Sequence, residues 1–318
     1  MAYMKDRRRF IGNPFPRKQG VALLRFLVLL AVVVFAGDFV LGQFADFLLL
    51  KSRNRFSRLY AGRAEAEILV VGDSRAVNAF YAPEVSLRTG RPCFNLAYNG
   101  VSAEVAESLL RDYFERHPPP RLVISEATAL MSCHSVAAKL NAFRKISPRV
   151  SSLADRHFPS MGLLSKTLRL SSFNSEFFIR SLAYLRRDDQ TWINPKKLTP
   201  RKLEAIRRSR SQKARTLPEN LEAMERTVQF CKREGIALAV VMTPMHPEMR
   251  EKRTGLADWI RETEDICARG GVPFFDYSRA LDGSDSGFAD GIHVNPEGSR
   301  ALLERMMDDG LFEIAPAK

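Results

Sequence analysis

Three side chains in this sequence have the types and spacing to activate a hydroxyl. Ser74 closes the run Ile68-Leu-Val-Val-Gly-Asp-Ser74. Asp290 and His293 stand three apart in Phe288-Ala-Asp290-Gly-Ile-His293-Val-Asn-Pro-Glu-Gly298. A serine hydroxyl is nearly inert at neutral pH unless a base takes its proton. An imidazole can be that base, and a carboxylate one turn of chain away can fix its tautomer and stabilise the imidazolium. Neither stretch decides the matter alone. Gly-Asp-Ser also suits a turn followed by a helix cap, and a histidine just before a capped helix also suits a solvated surface.

The elements around these residues determine whether they can meet. Ile68 to Val71 form a continuous apolar run, the pattern of a strand covered on both faces. Gly72 allows a sharp turn, so Ser74 opens the next helix at the carboxyl edge, where α/β sheets bind ligands. Backbone N–H groups there can face an oxyanion. Residues 92–98 read as a second strand, 101–115 as a helix stopped by Pro118-Pro-Pro120, and 122–125 as a third strand. Thr216 and Glu219 have capping-box spacing for a helix that Gly235 ends. Residues 237–242 and 272–276 read as strands four and five, with a helix over 259–269 between them. Asn295-Pro296 opens a last helix to about residue 307. The alternation predicts a three-layer α/β/α parallel sheet. Residues 128–216 break the rhythm with helical fragments and no strand. They are expected as an insertion hanging over the carboxyl edge.

The chain outside this domain reads differently. Residues 1–20 form a polar, basic arm, and 21–42 an apolar run with Arg25 near one end and Asp38 near the other. Its length matches a transmembrane anchor, and the basic arm places the N-terminus in the cytoplasm. The long polar start argues for an uncleaved anchor over a signal peptide. Residues 43–66 read as an amphipathic juxtamembrane linker, 67–312 as the domain and 313–318 as a tail. Charge is uneven. Residues 1–65 carry 12 Lys/Arg against 4 Asp/Glu, residues 132–216 carry 19 against 5, and the remainder carries 18 against 27. The basic excess sits in the arm and the insertion, while the part holding the candidate site is mildly acidic, and no aromatic interleaving accompanies the charge, which argues against nucleic-acid binding. It suits either a solvated face or contact with anionic lipid headgroups or an acidic polymer. Cys93, Cys133, Cys231 and Cys267 are too few for a disulfide scaffold and lack zinc spacing.

Taken together, the Gly72-Asp73-Ser74 and Asp290-x-x-His293 stretches resemble the SGNH (GDSL) hydrolase superfamily over roughly 67–127 and 217–310. The resemblance implies a flavodoxin-like fold with Ser74 as nucleophile, His293 as general base and Asp290 as its partner, and no metal or organic cofactor. The family's second block puts a glycine N–H into the oxyanion hole, and in Asn95-Leu-Ala-Tyr-Asn-Gly100 that position is Gly100. The third block departs from the family. Gly-x-Asn-Asp is usual after strand three, but Ile124-Ser-Glu-Ala-Thr128 stands here. Either Asn99 or Asn95 substitutes for the missing donor, or the N–H groups of Ser74 and Gly100 act alone. One lost donor can cost about a hundred- to a thousandfold in rate. Arg75 beside the nucleophile either binds an anionic substrate group or faces solvent. His246, in Val241-Met-Thr-Pro-Met-His-Pro247, is expected as an exposed loop residue. The anchor, the altered third block and this loop resemble membrane-anchored members that modify bacterial envelope polymers, among them alginate O-acetylation and D-alanyl transfer proteins. That narrower resemblance implies a periplasmic domain on the inner membrane and an acyl ester of an envelope glycan as substrate. It also implies a membrane-bound acyltransferase as partner. The alternative is a non-catalytic docking protein that keeps the fold.

Overall fold

The computed structural model describes residues 17–173 and 175–315. The basic arm read over 1–20 lies almost wholly outside them, as does the end of the tail. Helix α1 (Arg17–Lys51) contains one stretch, Gln19–Lys51, long and apolar enough to cross a membrane, and none of its most apolar part is buried by the protein. At about 1.5 Å per residue, α1 is far longer than a bilayer core requires. Its last turns belong to the domain. Ala45 and Leu49, four apart on one face, join the core. Helix α2 (Arg55–Tyr60), capped by the Asn54 side chain, adds Phe56, Leu59 and Tyr60. Phe56 packs edge-on against Phe177 at 4.9 Å, and Tyr60 against Phe143 at 4.9 Å. Much of the stretch read as a linker over 43–66 is therefore folded structure, because its apolar residues find partners in the insertion.

The chain continues through β1 (Ile68–Val71), α3 (Ser74–Ala79), α4 (Ala82–Thr89), β2 (Cys93–Asn95), α5 (Ala103–Phe114) and β3 (Leu122–Glu126). The insertion carries α6 (Ser135–Lys139), α7 (Pro148–His157), α8 (Pro159–Thr167), α9 (Glu176–Ala183), α10 (Pro200–Arg208) and a short strand β4 (Gln212–Lys213). Then follow α11 (Pro218–Arg233), β5 (Ala237–Met242), α12 (Pro247–Glu251), β6 (Arg253–Thr254), α13 (Leu256–Gly270), β7 (Phe274–Asp276) and α14 (Pro296–Asp308). The main sheet runs β2-β1-β3-β5-β7 and is parallel throughout. Counted along the chain, its five strands take the flavodoxin-like order 2-1-3-4-5. Side chains alternate between two cores. Ile68, Val70, Leu122 and Ile124 face α3, α4 and α14, while Leu69, Val71 and Val123 face α5, α11 and the insertion. This is the expected α/β/α layering, with every residue of β1 and β5 buried. Strand order reverses between β1 and β3, so the ligand crevice of such a sheet opens at the end of β1.

Three local readings change. Strands β2 and β7 are each three residues long, shorter than their apolar runs, because both lie at sheet edges. Helix α11 starts at Pro218 behind Leu217, with no side-chain cap. The Thr216 hydroxyl instead accepts the indole N–H of Trp259 at 2.8 Å. The insertion also contains a strand after all: β4 pairs in parallel with β6.

The insertion divides its contacts. Its first part packs on α1, α2 and α5, and Phe143, Val150 and Phe177 enter the core there. Its start and its second part border the carboxyl edge: Ser132 Oγ donates to Asp73 at 3.3 Å, Leu198 N–H to the Phe288 carbonyl at 2.8 Å and Lys202 Nζ to the Ala289 carbonyl at 2.6 Å. Part of its basic excess pairs with acids of the remainder of the chain. Arg149 meets Asp112 and Glu115, Arg156 meets Glu104, Arg169 meets Asp46 and Arg207 meets Glu248. The charge asymmetry of the sequence is thus partly internal complementarity between the insertion and the acidic remainder.

Candidate active site

The turn after β1 positions the serine. Gly72 has φ +141, a conformation side chains rarely adopt, and a Cβ there would stand 2.7 Å from Glu126 Cβ. Asp73 is extended and caps α3 by accepting the Arg75 N–H at 2.8 Å. Ser74 is therefore the first residue of α3, and its N–H has no hydrogen-bond partner among the described residues. Tyr98 N–H donates to the Gly72 carbonyl at 3.1 Å and holds the loop after β2 beside this turn. In that loop Gly100 has φ +75, and its N–H is likewise uncommitted among the described residues.

The segment before α14 supplies the base. Asn295 caps α14 by accepting the N–H groups of Glu297 and Gly298, and its amide donates to the carbonyls of Ser286 and Phe288. Ala289 N–H donates to the His293 carbonyl at 2.8 Å, closing the loop that carries Asp290 and His293. His293 Nδ1 lies 2.9 and 3.0 Å from the two Asp290 oxygens, and its Nε2 lies 2.7 Å from Ser74 Oγ. Burial works to raise the Asp290 carboxyl. The hydrogen bond and charge of His293, with the N–H groups of Ile292 and His293, outweigh burial and hold the carboxyl below its ordinary value. Hydroxyl, imidazole and carboxylate are in line. The arrangement can deprotonate Ser74 as it attacks a carbonyl carbon, with Asp290 stabilising the imidazolium that forms.

The other site residues fall on both sides of expectation. Asn99 is exposed at the mouth of the site, and its side chain makes no hydrogen bond among the described residues. Asn95 is not available as a donor. Its amide donates to the carbonyls of Ala76 and Phe80, and its oxygen accepts the Ala97 N–H. Arg75 neither faces solvent nor reaches into the crevice. It is buried, its Nη2 donates to the carbonyls of Thr243 and Pro244, and its Nε lies 3.9 Å from Glu126. It follows Ser74 on a helix packed against the sheet, so its side chain turns inward. His246 is buried too. Its Nε2 lies 2.9 Å from Asp285 Oδ1, its N–H donates to the Gly291 carbonyl and its ring meets Phe288 edge-on. It braces the loop that carries the base.

Sequence reasoning missed the polar cluster beneath the nucleophile turn. Glu126, at the end of β3, accepts the Thr128 N–H at 2.9 Å and the Thr243 hydroxyl at 3.0 Å. Thr128 Oγ1 lies within hydrogen-bond distance of Glu126 Oε2 and 3.0 Å from Asp73 Oδ2. One hydroxyl proton cannot serve two carboxylates. When Glu126 is protonated it donates to Thr128 and Thr128 donates to Asp73; when it is ionised Thr128 donates to Glu126 and Ser132 Oγ still donates to Asp73. Burial first, and then the Asp73 charge, push the Glu126 carboxyl up to about 7. The available signal was Glu126-x-Thr128 at the end of a buried strand.

This cluster makes a stability prediction. A carboxyl raised on folding contributes stability fully present below its ordinary value of 4.5 and lost as pH rises through about 7. The thermal midpoint of the wild type should fall across that window, by the equivalent of about 3 kcal/mol at most. Glu126→Gln keeps a hydrogen-bond donor without the charge, and its midpoint should be flatter there. Calorimetry at pH 4.5 and 7 checks this, and equal slopes would place the dependence elsewhere.

Among the described residues, one further group could hold a metal: Glu104, His134 and His157. Its two imidazoles stack at 4.2 Å with planes 10° apart, so their in-plane lone pairs run side by side rather than converging. Arg156 already occupies the other Glu104 oxygen. The group fits an ion-paired staple between α5 and the insertion better than a metal centre.

No family model matches the chain, and no curated protein matches it. Among solved structures the chain is similar to a GDSL-like lipase from Bacteroides thetaiotaomicron, at 10% identity and a TM-score of 0.40, over 79% of this chain and 88% of that one. A likeness at that distance adds no weight to the geometry above.

Proposed function

We propose that this chain is an SGNH-type serine esterase or O-acyltransferase, anchored in the inner membrane by α1 and acting on an acyl ester of a cell-envelope glycan. The observation that carries the chemistry is the Asp290–His293–Ser74 relay, with Ser74 Oγ 2.7 Å from the base. Ser74 Oγ attacks the acyl carbon while its proton passes to His293 Nε2. The tetrahedral oxyanion is met by the N–H groups of Ser74 and Gly100. His293 then returns the proton to the departing oxygen, leaving an acyl-serine. Water or a glycan hydroxyl, deprotonated by the same imidazole, releases the acyl group. The intact relay favours this reading over a docking-only role.

A cleft of about 160 Å³ supports a glycan as the acceptor. It is lined by Val77, Tyr98, Asn99, Arg180, Tyr184 and Trp192, among others. Val77 lies one helical turn after Ser74, on the same face of α3. The exposed Trp192 and the partly exposed Tyr184, beside hydrogen-bonding groups, suit the apolar C–H faces and hydroxyls of a sugar ring. A transfer role also needs an acyl donor, and a membrane-bound acyltransferase is the partner we propose for delivering it.

The test is labelling by a membrane-impermeant, serine-directed phosphonate in spheroplasts. Ser74 should be modified in the wild type and nothing in Ser74→Ala. Labelling only after the membrane is opened would place the domain on the cytoplasmic side. A wild type that stays unlabelled under both conditions would overturn the serine chemistry.

A further inference from the structure

The anchor reading of α1 fixes a depth, and the insertion is bonded to α1 at that depth. The apolar run begins at Val21, and about 20 residues of helix span a bilayer core, so the run is used up near Val40. Asp38 lies two residues inside that limit, about 3 Å along the axis. Its carboxylate is not left to water. One oxygen accepts the Arg169 N–H at 2.7 Å, and the other the Leu170 N–H at 2.8 Å. The Arg169 side chain then runs up the helix. Its carbons lie against Gly42, where any Cβ would collide with them. Its guanidinium sits 5.6 Å over the Phe39 ring and reaches Gln43 and Asp46. Residues 169–173 are thereby clamped along two turns of α1, starting at the membrane boundary. Helix α8 precedes this clamp and packs against it, with Ser171 Oγ 3.3 Å from Ser165 Oγ.

The solvent side of this arm is apolar where a water-soluble surface would be polar. Leu163 is 71% exposed, Leu164 54% and Leu170 37%. Lys166 on the same helix is exposed but paired with Asp155 at 2.9 Å. Exposed leucines beside a membrane-spanning helix form the apolar half of an interfacial surface, with side chains placed to enter the acyl region.

We propose that the arm formed by α8 and residues 169–173 dips into the outer boundary of the bilayer, with Leu163, Leu164 and Leu170 among the acyl chains beside α1. The occupant of this apolar surface is the lipid leaflet itself. The contact rests on the anchor reading, because only a membrane-spanning α1 puts Asp38 at the boundary. The domain would then hold one orientation on the membrane, through two attachments rather than one tether.

The test uses the full chain with Cys133→Ser, which removes the exposed cysteine. Single cysteines replace Leu164, Leu170, Val40 and Leu87 in turn, each labelled with an environment-sensitive fluorophore. The proteins are reconstituted in phosphatidylcholine vesicles containing a minority of phosphatidylglycerol, with and without brominated acyl chains. Val40 reports the span, and Leu87, 77% exposed on α4, reports the aqueous side. Brominated chains should quench the probes at 164 and 170 at least half as strongly as the probe at 40, and leave the probe at 87 bright. Probes at 164 and 170 that behave like the one at 87, with 40 quenched, would overturn the contact and keep the anchor. An unquenched probe at 40 would overturn both. Retained phosphonate labelling of Ser74 reports that each variant is folded.

Discussion

Ser74→Ala should lower hydrolysis of a chromogenic acetyl ester by about four orders of magnitude or more while leaving the thermal midpoint nearly unchanged. The size of the loss follows from the relay. Without the hydroxyl no acyl-enzyme forms, and His293 can only assist direct attack by water. The stability of the variant follows from how little the hydroxyl holds: among the described residues its one hydrogen bond is to His293. The backbone of the turn is kept by Gly72 and by the Asp73 cap, neither of which involves the Ser74 side chain. Steady-state rates of the two full-length proteins in detergent check the expectation. Equal rates would show that Ser74 is not the nucleophile, and the docking alternative would then account for the fold better.

Gly72→Ala should be among the most damaging single methyl groups in the domain. It adds two penalties at one atom. At φ +141 a side chain is strained whatever the space around it. The added Cβ would also stand 2.7 Å from Glu126 Cβ and 3.3 Å from the Glu126 backbone nitrogen. Neither neighbour can retreat, since Glu126 ends the central strand β3 and is pinned by Thr128 and Thr243. A loss of about 3 kcal/mol or more is expected, from overpacking and backbone strain together. Denaturant titration beside the esterase assay would show a lower midpoint and an activity loss that persists where the variant is still folded. The second readout separates this turn from ordinary core packing, because a displaced Ser74 loses its 2.7 Å contact with His293. A variant with wild-type stability would mean that the turn tolerates a side chain, contrary to the geometry described.

The placement of the candidate catalytic groups was legible because each lies in a stretch with a strong local pattern. The apolar run before Gly72 could only be a buried strand, and Asn295-Pro296 could only open a helix. Once both elements exist in a parallel sheet, Ser74 and His293 fall at the same edge. Arg75 and His246 were not legible in the same way. Each is a polar residue next to a turn, where exposure is the ordinary outcome. Both are buried because partners far away in the chain, the carbonyls of Thr243 and Pro244 and the carboxylate of Asp285, happen to meet them.

The same division runs through the whole protein. Periodicity, glycine positions and helix caps act within a few residues, so the sequence by itself determined the α/β layering, the apolar length of α1 and the two stretches that carry Ser74 and the Asp290–His293 pair. Partnership between distant polar groups has no local signature. Only the tertiary structure decided that the turn below Ser74 rests on the buried Glu126 carboxyl, and that Asp38 is joined to Arg169 and Leu170. It also decided that the basic insertion pairs Arg149, Arg156, Arg169 and Arg207 with acids elsewhere in the chain. Hydrogen bonds and ion pairs are short-ranged in space and indifferent to sequence separation, so they become readable only when the chain is folded.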